Sequence, residues 1–99
     1  MFALKIQDKD NVATVFSTEV SKGVSINVKD KKGNTETLMA GSAIPYGHKI
    51  ATVQIGKGTK IVKYGEVIGV ATADIDKGGH VHVQNIDSLR GRGDLQGGE

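Results

Sequence analysis

The chain has 99 residues, no cysteine, 14 glycines and a single proline, and its 13 basic and 11 acidic residues leave a net charge of +2. That length fits one domain around one core, and so even a charge balance, thinly dispersed, argues against a nucleic-acid partner. Without cysteine there is no disulfide framework, iron–sulfur cluster or thiolate ligand, and no apolar run approaches the ~20 residues that a membrane span needs. Met1 to Ile6 is too short for a signal peptide and Asp8-Lys9-Asp10 follows at once, so a cytoplasmic location is expected.

In chain order, short runs of alternating or β-branched residues predict strands at 2–6, 12–16, 24–28, 35–39, 49–55, 60–62, 67–71 and 81–83. Residues 10–21 resist a helical reading because Val12, Thr14, Val15, Phe16 and Thr18 prefer extended chain. Asp30-Lys31-Lys32-Gly33-Asn34 is a hairpin signal, with Gly33 or Asn34 suited to positive φ and the lysines forming a solvated tip. A pattern apolar-x-Lys-Gly-x-x-apolar occurs three times, starting at Val20, Ile55 and Ile75, each copy reading as a tight corner between strands. The spacing of the copies is unequal, which excludes a solenoid. The fold class expected is mainly β, a compact body of short strands at 1–88, with 89–99 a Gly/Arg-rich tail or connector.

The chemistry concentrates late in the chain. If 80–84 is a strand, His80, His82 and Gln84 form one polar row and Val81 and Val83 face the other way. Two imidazoles about 7 Å apart along a strand begin a metal or anion site; the competing reading is the polar outer face of an edge strand. Arg90 and Arg92 follow, planar donors suited to carboxylate or sulfonate, or equally an adhesive for a partner chain. His48, after the lone proline and Gly47, is read either as a ligand contact or as a histidine satisfying loop carbonyls. Lys49 is read as a carboxylate partner or as a solvated strand residue. Gly56-Lys57-Gly58-Thr59-Lys60 lacks the frame of a phosphate loop, and Asp8 and Asp10 lack the glycine and distal glutamate of a calcium loop.

Several segments together carry a resemblance: Asp10-Asn11-Val12-Ala13, Ile44-Pro45-Tyr46-Gly47-His48-Lys49, Lys63-Tyr64-Gly65-Glu66-Val67-Ile68-Gly69, Ala71-Thr72-Ala73-Asp74-Ile75, Gly79-His80-Val81-His82-Val83 and Asn85. In this order they resemble the N-terminal SAF domain of the altronate dehydratase family, which implies a β-clip fold. The chain is most similar to the family's split members, in which a small subunit pairs with a large one, as in (2R)-sulfolactate sulfo-lyase. One departure stands out: the altronate branch often continues the histidine row with a third histidine where this chain has Gln84, and glutamine is a poor ligand for iron or zinc.

The resemblance implies a lyase component that helps eliminate water or sulfite from a small 2-hydroxy acid, a sugar acid or a sulfonated one. It implies His48, His80 and His82 as catalytic candidates, with His80 and His82 also candidate metal ligands. Lys49, Arg90 and Arg92 are candidate substrate contacts. The implied cofactor is a divalent metal, Fe2+ in the altronate enzymes, held mainly by a large catalytic subunit, without which this chain is expected to be inactive. Neither nucleic acid nor membrane is expected as a partner, while exposed strand edges allow a homodimer. The alternatives are a non-catalytic module for sugar acids or carbohydrate, and a domain cut from a longer enzyme.

Overall fold

The computed structural model describes residues 1–18 and 20–88, all strand, turn and loop. Nine strands are β1 (Phe2–Leu4), β2 (Val12–Val15), β3 (Ser25–Lys29), β4 (Thr35–Met39), β5 (Lys49–Ala51), β6 (Lys60–Lys63), β7 (Glu66–Ala71), β8 (His80–Val81) and β9 (Ile86–Ser88). They form a six-stranded sheet in the order β4-β3-β1-β2-β5-β8 and a three-stranded sheet in the order β6-β7-β9. The pairing of β1 with β3 is parallel; the other strand pairs are antiparallel.

The corners expected from the sequence are present, and there are four of them. Ile44-Pro45-Tyr46-Gly47-His48-Lys49-Ile50 adopts the same turn as the three Lys-Gly copies, without the lysine. In each copy the residue after the glycine donates its N–H to the carbonyl three positions back (Val24 to Ser21, His48 to Pro45, Thr59 to Gly56, Gly79 to Asp76). The four glycines have φ between 81° and 89°. The copies then interlock in two reciprocal pairs. Gly23 donates to Ala40 and Gly47 to Val15, and the bridge Val20–Ile44 closes the first pair. Gly58 donates to Ala71 and Gly78 to Ala51, and the bridge Ile55–Ile75 closes the second. At Gly78 glycine is required twice, since φ is +88° and a Cβ there would collide with the Met39 carbonyl oxygen.

Each pair builds its own core. Ala3, Ala13, Val15, Val20, Ile26, Val28, Leu38, Ala40, Ile44 and Ile50 make one apolar cluster. Val12, Ala51, Ile55, Ile61, Ala71, Ile75 and Val81 make the other, with Ile68 and Ile86 against it. The central strands β2 and β5 feed both: Ala13 and Ile50 go to one side, Val12 and Ala51 to the other. That double burial explains why β2 is buried at all four positions instead of alternating.

Two polar side chains join the sheets. Asn11 accepts from the Val62 N–H at 2.8 Å and donates to the Lys60 carbonyl at 2.9 Å. Asp10, only 3% exposed, accepts from Ile6 and Gln7 through Oδ2 and from Gly65 through Oδ1. Gly65 and the positive-φ Tyr64 form the β6–β7 turn. Asp10 is therefore the clamp of a corner. The Asp30–Asn34 hairpin also forms as expected, with Asp30 Oδ1 accepting from Lys32 and Asn34.

Most strand ends fall within two residues of expectation, and three departures are larger or bear on the site. The strand begun at Lys49 stops at Ala51 and the chain turns at Thr52, because Ile55 is needed for its bridge to Ile75. Strand β9 lacks an alternating pattern and forms because β7 offers it an edge. The third difference concerns the histidines.

Candidate functional site

His48 immediately precedes β5, and His80 begins β8. The ladder pairs Ile50 with His80 and Lys49 with Val81. Residues opposite one another share a face, and so do residues two apart in a strand, so His48 and His80 emerge on the same side. The tight Gly47 turn delivers His48 to that position, and its carbonyl is held by the Val15 N–H at 2.9 Å.

The polar row expected along 80–84 is not a strand row. β8 ends at Val81, and residues 82–85 turn, closed by the Asn85 N–H to the His82 carbonyl at 3.1 Å. The Asn85 side chain locks this turn, accepting from the His82 N–H at 3.0 Å and donating to the His80 carbonyl at 2.8 Å. Val83 is consequently 78% exposed and does not join Val81 in the core. The turn folds His82 back over His48, whose ring centroid is 3.7 Å away with planes 14° apart. Gln84 arrives from the same turn, its Nε2 3.1 Å from His80 Nδ1.

All three histidines thus meet. His48 Nδ1 and His80 Nε2 lie 2.8 Å apart, one donating and the other accepting according to tautomer. One ring nitrogen from each of His48, His80 and His82 falls within 4.8 Å of the others, and all three side chains are half-buried. Burial, and then the positive potential of His48, His82 and Lys49, holds His80 below the usual histidine value of 6.5. Burial, His48 and Lys49 act on His82 in the same direction. Both rings therefore favour the neutral form, the form that ligates metal or accepts a proton.

The donor set suits a divalent metal in type and reach. His82 Nδ1 is enclosed without a hydrogen-bond partner, an orphan that a metal or a ligand would satisfy. Imidazole lone pairs lie in the ring plane, and two rings stacked face to face cannot both aim at one ion, so ligation by His48 and His82 together needs one ring to turn. Gln84 belongs to the cluster as a hydrogen-bonding neighbour of His80.

Lys49 lies between Thr14 on β2 and Val81 on β8, half-buried. Burial, then the charge of Lys63, lowers its pKa from 10.5. Arg90 and Arg92 lie outside the described residues. Sequence reasoning placed Gln84 in the polar row but along a strand and not in a turn, gave Asn85 no part in building the site, and did not single out Thr14 or Lys63 as neighbours of Lys49. A surface concavity of about 520 Å³, bordered by Asp8, Asp30 and Lys32, shares no residue with the histidines.

No helix among the described residues is long and apolar enough to cross a membrane. The family profile described as the altronate/galactarate dehydratase SAF domain matches residues 1–89. Altronate dehydratase of Escherichia coli (strain K12) is 34% identical over 94% of this chain and 19% of its own length. That of Bacillus subtilis (strain 168) is 39% identical over 83% of this chain and 15% of its own length. The (2R)-sulfolactate sulfo-lyase subunit alpha of Paracoccus pantotrophus is 42% identical over 54% of this chain and 79% of its own length. The matched region is thus less than a fifth of either altronate dehydratase but most of the sulfo-lyase subunit.

Proposed function

The chain belongs to the SAF-domain family of altronate and galactarate dehydratases, and from that premise we propose that it is the small component of a lyase acting on a 2-hydroxy acid. The observation that carries the reading is the meeting of His48, His80 and His82 on one face without a carboxylate among them. Elimination of water or sulfite needs a base at the carbon next to the carboxylate and an acid at the leaving group. In the His48–His80 pair one ring carries the shared proton and the other a lone pair, so the pair accepts a proton at one nitrogen and releases one at another. His82, stacked on His48, limits water on that side and offers its unpaired Nδ1.

His80 and His82 are the residues that would hold a divalent metal, expected as Fe2+ and bound mainly by the larger component. Such an ion supplies Lewis-acid polarisation of carboxylate and hydroxyl oxygens. Lys49 binds the substrate carboxylate, and Arg90 and Arg92 serve as further anion contacts. The remaining machinery comes from a larger partner chain or from further sequence of the same protein; that the sulfo-lyase relatives are named as subunits supports a partner chain.

The test is co-expression with the larger component, followed by assay on altronate and on (2R)-sulfolactate. Turnover that needs both chains, and that falls about 100-fold or more in His48→Ala or His80→Ala, is expected for lost acid–base groups. A chain that recruits no partner yet binds a sugar acid in the presence of EDTA would leave the binding-module reading instead.

A further inference from the structure

We propose that Gln84 is a positioning residue that sets the direction of the His48–His80 hydrogen bond, so that His48 presents an N–H at Nε2 and His80 a lone pair at Nδ1. A glutamine amide nitrogen donates and does not accept. Gln84 Nε2 lies 3.1 Å from His80 Nδ1, so that ring nitrogen is the acceptor and carries no proton. An imidazolium has an N–H at both nitrogens; the His80 ring is therefore neutral, with its single proton on Nε2. That proton is donated to His48 Nδ1 at 2.8 Å. His48, accepting at Nδ1, keeps its own proton on Nε2. A His48 protonated at Nδ1 would leave His80 facing two donors with no place for its own proton, so the Gln84 contact excludes that state.

Ring geometry makes the same case. The His48 and His80 centroids are 5.1 Å apart and their planes 15° apart, for a contact of 2.8 Å between nitrogens. A separation that wide at so short a contact means that the rings meet edge to edge, in line with the lone pair. His82 instead lies face to face with His48 at 3.7 Å and takes no part in the in-plane bond. The backbone keeps Gln84 on its target. His80 donates its N–H to Ser42 Oγ at 3.3 Å, and its carbonyl accepts from Asn85, the residue that locks the turn carrying Gln84. The pair therefore has two unlike ends. The N–H of His48 is the end that meets the departing oxygen of a 2-hydroxy acid, and the His80 lone pair is the end that takes up a proton or an ion once Gln84 swings aside. These roles rest on the lyase reading; the direction of the bond does not.

The experiment is long-range proton–nitrogen NMR of the imidazoles in the isotope-labelled 99-residue chain, without metal or partner. It is run near pH 9, above the ordinary histidine value of about 6.5. The parent should show His48 and His80 both protonated at Nε2. Gln84→Glu puts an acceptor in place of the donor, and its charge-assisted bond favours the Nδ1–H form of His80 by more than about tenfold. His80 then accepts at Nε2, so both rings should change to Nδ1–H, an inversion that a merely structural residue would not produce. In Gln84→Met, which keeps the length and removes the donor, the minor tautomer of His80 should grow about 3- to 10-fold. His80 protonated at Nδ1 in the parent, or still at Nε2 in Gln84→Glu, would overturn the assignment. Because no turnover is read, an assembled form without lyase activity would refute the lyase reading and leave an observed inversion standing. An active lyase whose Gln84→Glu chain keeps the parent tautomers would do the reverse.

Discussion

Replacing Asp10 with asparagine tests whether the corner between the sheets hangs on one carboxylate. Asp10 accepts short bonds from the backbone N–H groups of Ile6 at 3.0 Å, Gln7 at 3.1 Å and Gly65 at 2.7 Å, with the Tyr64 N–H a further, weaker donor. Asparagine offers one oxygen and, in place of the other, an amide that is itself a donor. If that oxygen keeps Ile6 and Gln7, the Gly65 N–H faces a donor and loses a charge-assisted bond of about 1.5–3 kcal/mol. The two surviving bonds weaken from charged to neutral, so the total loss is about 2–4 kcal/mol, a large share of the ~5–15 kcal/mol that holds a domain together.

The pH dependence follows from the same contacts. Burial opposes ionisation of Asp10, but the N–H donors of Gln7, Gly65, Ile6 and Tyr64 outweigh it and hold the carboxyl below 3.8. A depressed folded-state pKa contributes stability that is fully present above the unfolded value of 3.8 and is lost as pH falls through the folded value. Urea denaturation followed by circular dichroism at pH 7 and at pH 3 or below measures both effects. Asp10→Asn should be less stable than the parent at pH 7, and the gap should narrow in acid. A variant within about 0.5 kcal/mol of the parent at pH 7, the ordinary range of a surface change, would refute the clamp.

Three further outcomes are expected. Gly78→Ala should lower stability by at least about 2 kcal/mol in the same assay, because it adds left-handed strain to a collision with the Met39 carbonyl. Asn85→Ala removes both side-chain bonds that lock the 82–85 turn; it should cost about 1–2 kcal/mol and move the His82 ring resonances while leaving those of Ile26 in place. His48→Gln removes a positive neighbour from His80 and His82, so both midpoints should rise toward 6.5 in an NMR pH titration. In the parent chain those depressed values mean that stability declines as pH drops below 6.5 toward the folded values, and an unchanged or lower midpoint in the variant would contradict the electrostatic reading.

Much of this protein was readable along the chain because its determinants are local. β-branched runs, the Asp30–Asn34 hairpin and three of the four glycine corners depend on residues within a few positions of one another. The fourth corner was hidden because Pro45-Tyr46 replaces the x-Lys dipeptide while Gly47 keeps the backbone role. The family was legible too, since its motifs are spread in order over most of the chain. The site was legible only as pieces. His80 and His82 stood out by spacing, but the strand assumed for them ends at Val81, and it is the Asn85-locked turn that lays His82 on His48.

Tertiary structure alone joined His48 to the other two, across 32 positions of sequence, by pairing β5 with β8. It likewise set Thr14 against Lys49 and brought Lys63 near. The physical reason is that strand register is a long-range quantity. A side chain's type and its local turn can be read from its neighbours, but which residue lies opposite it depends on how the reciprocal corners interlock and on which apolar faces must be buried together.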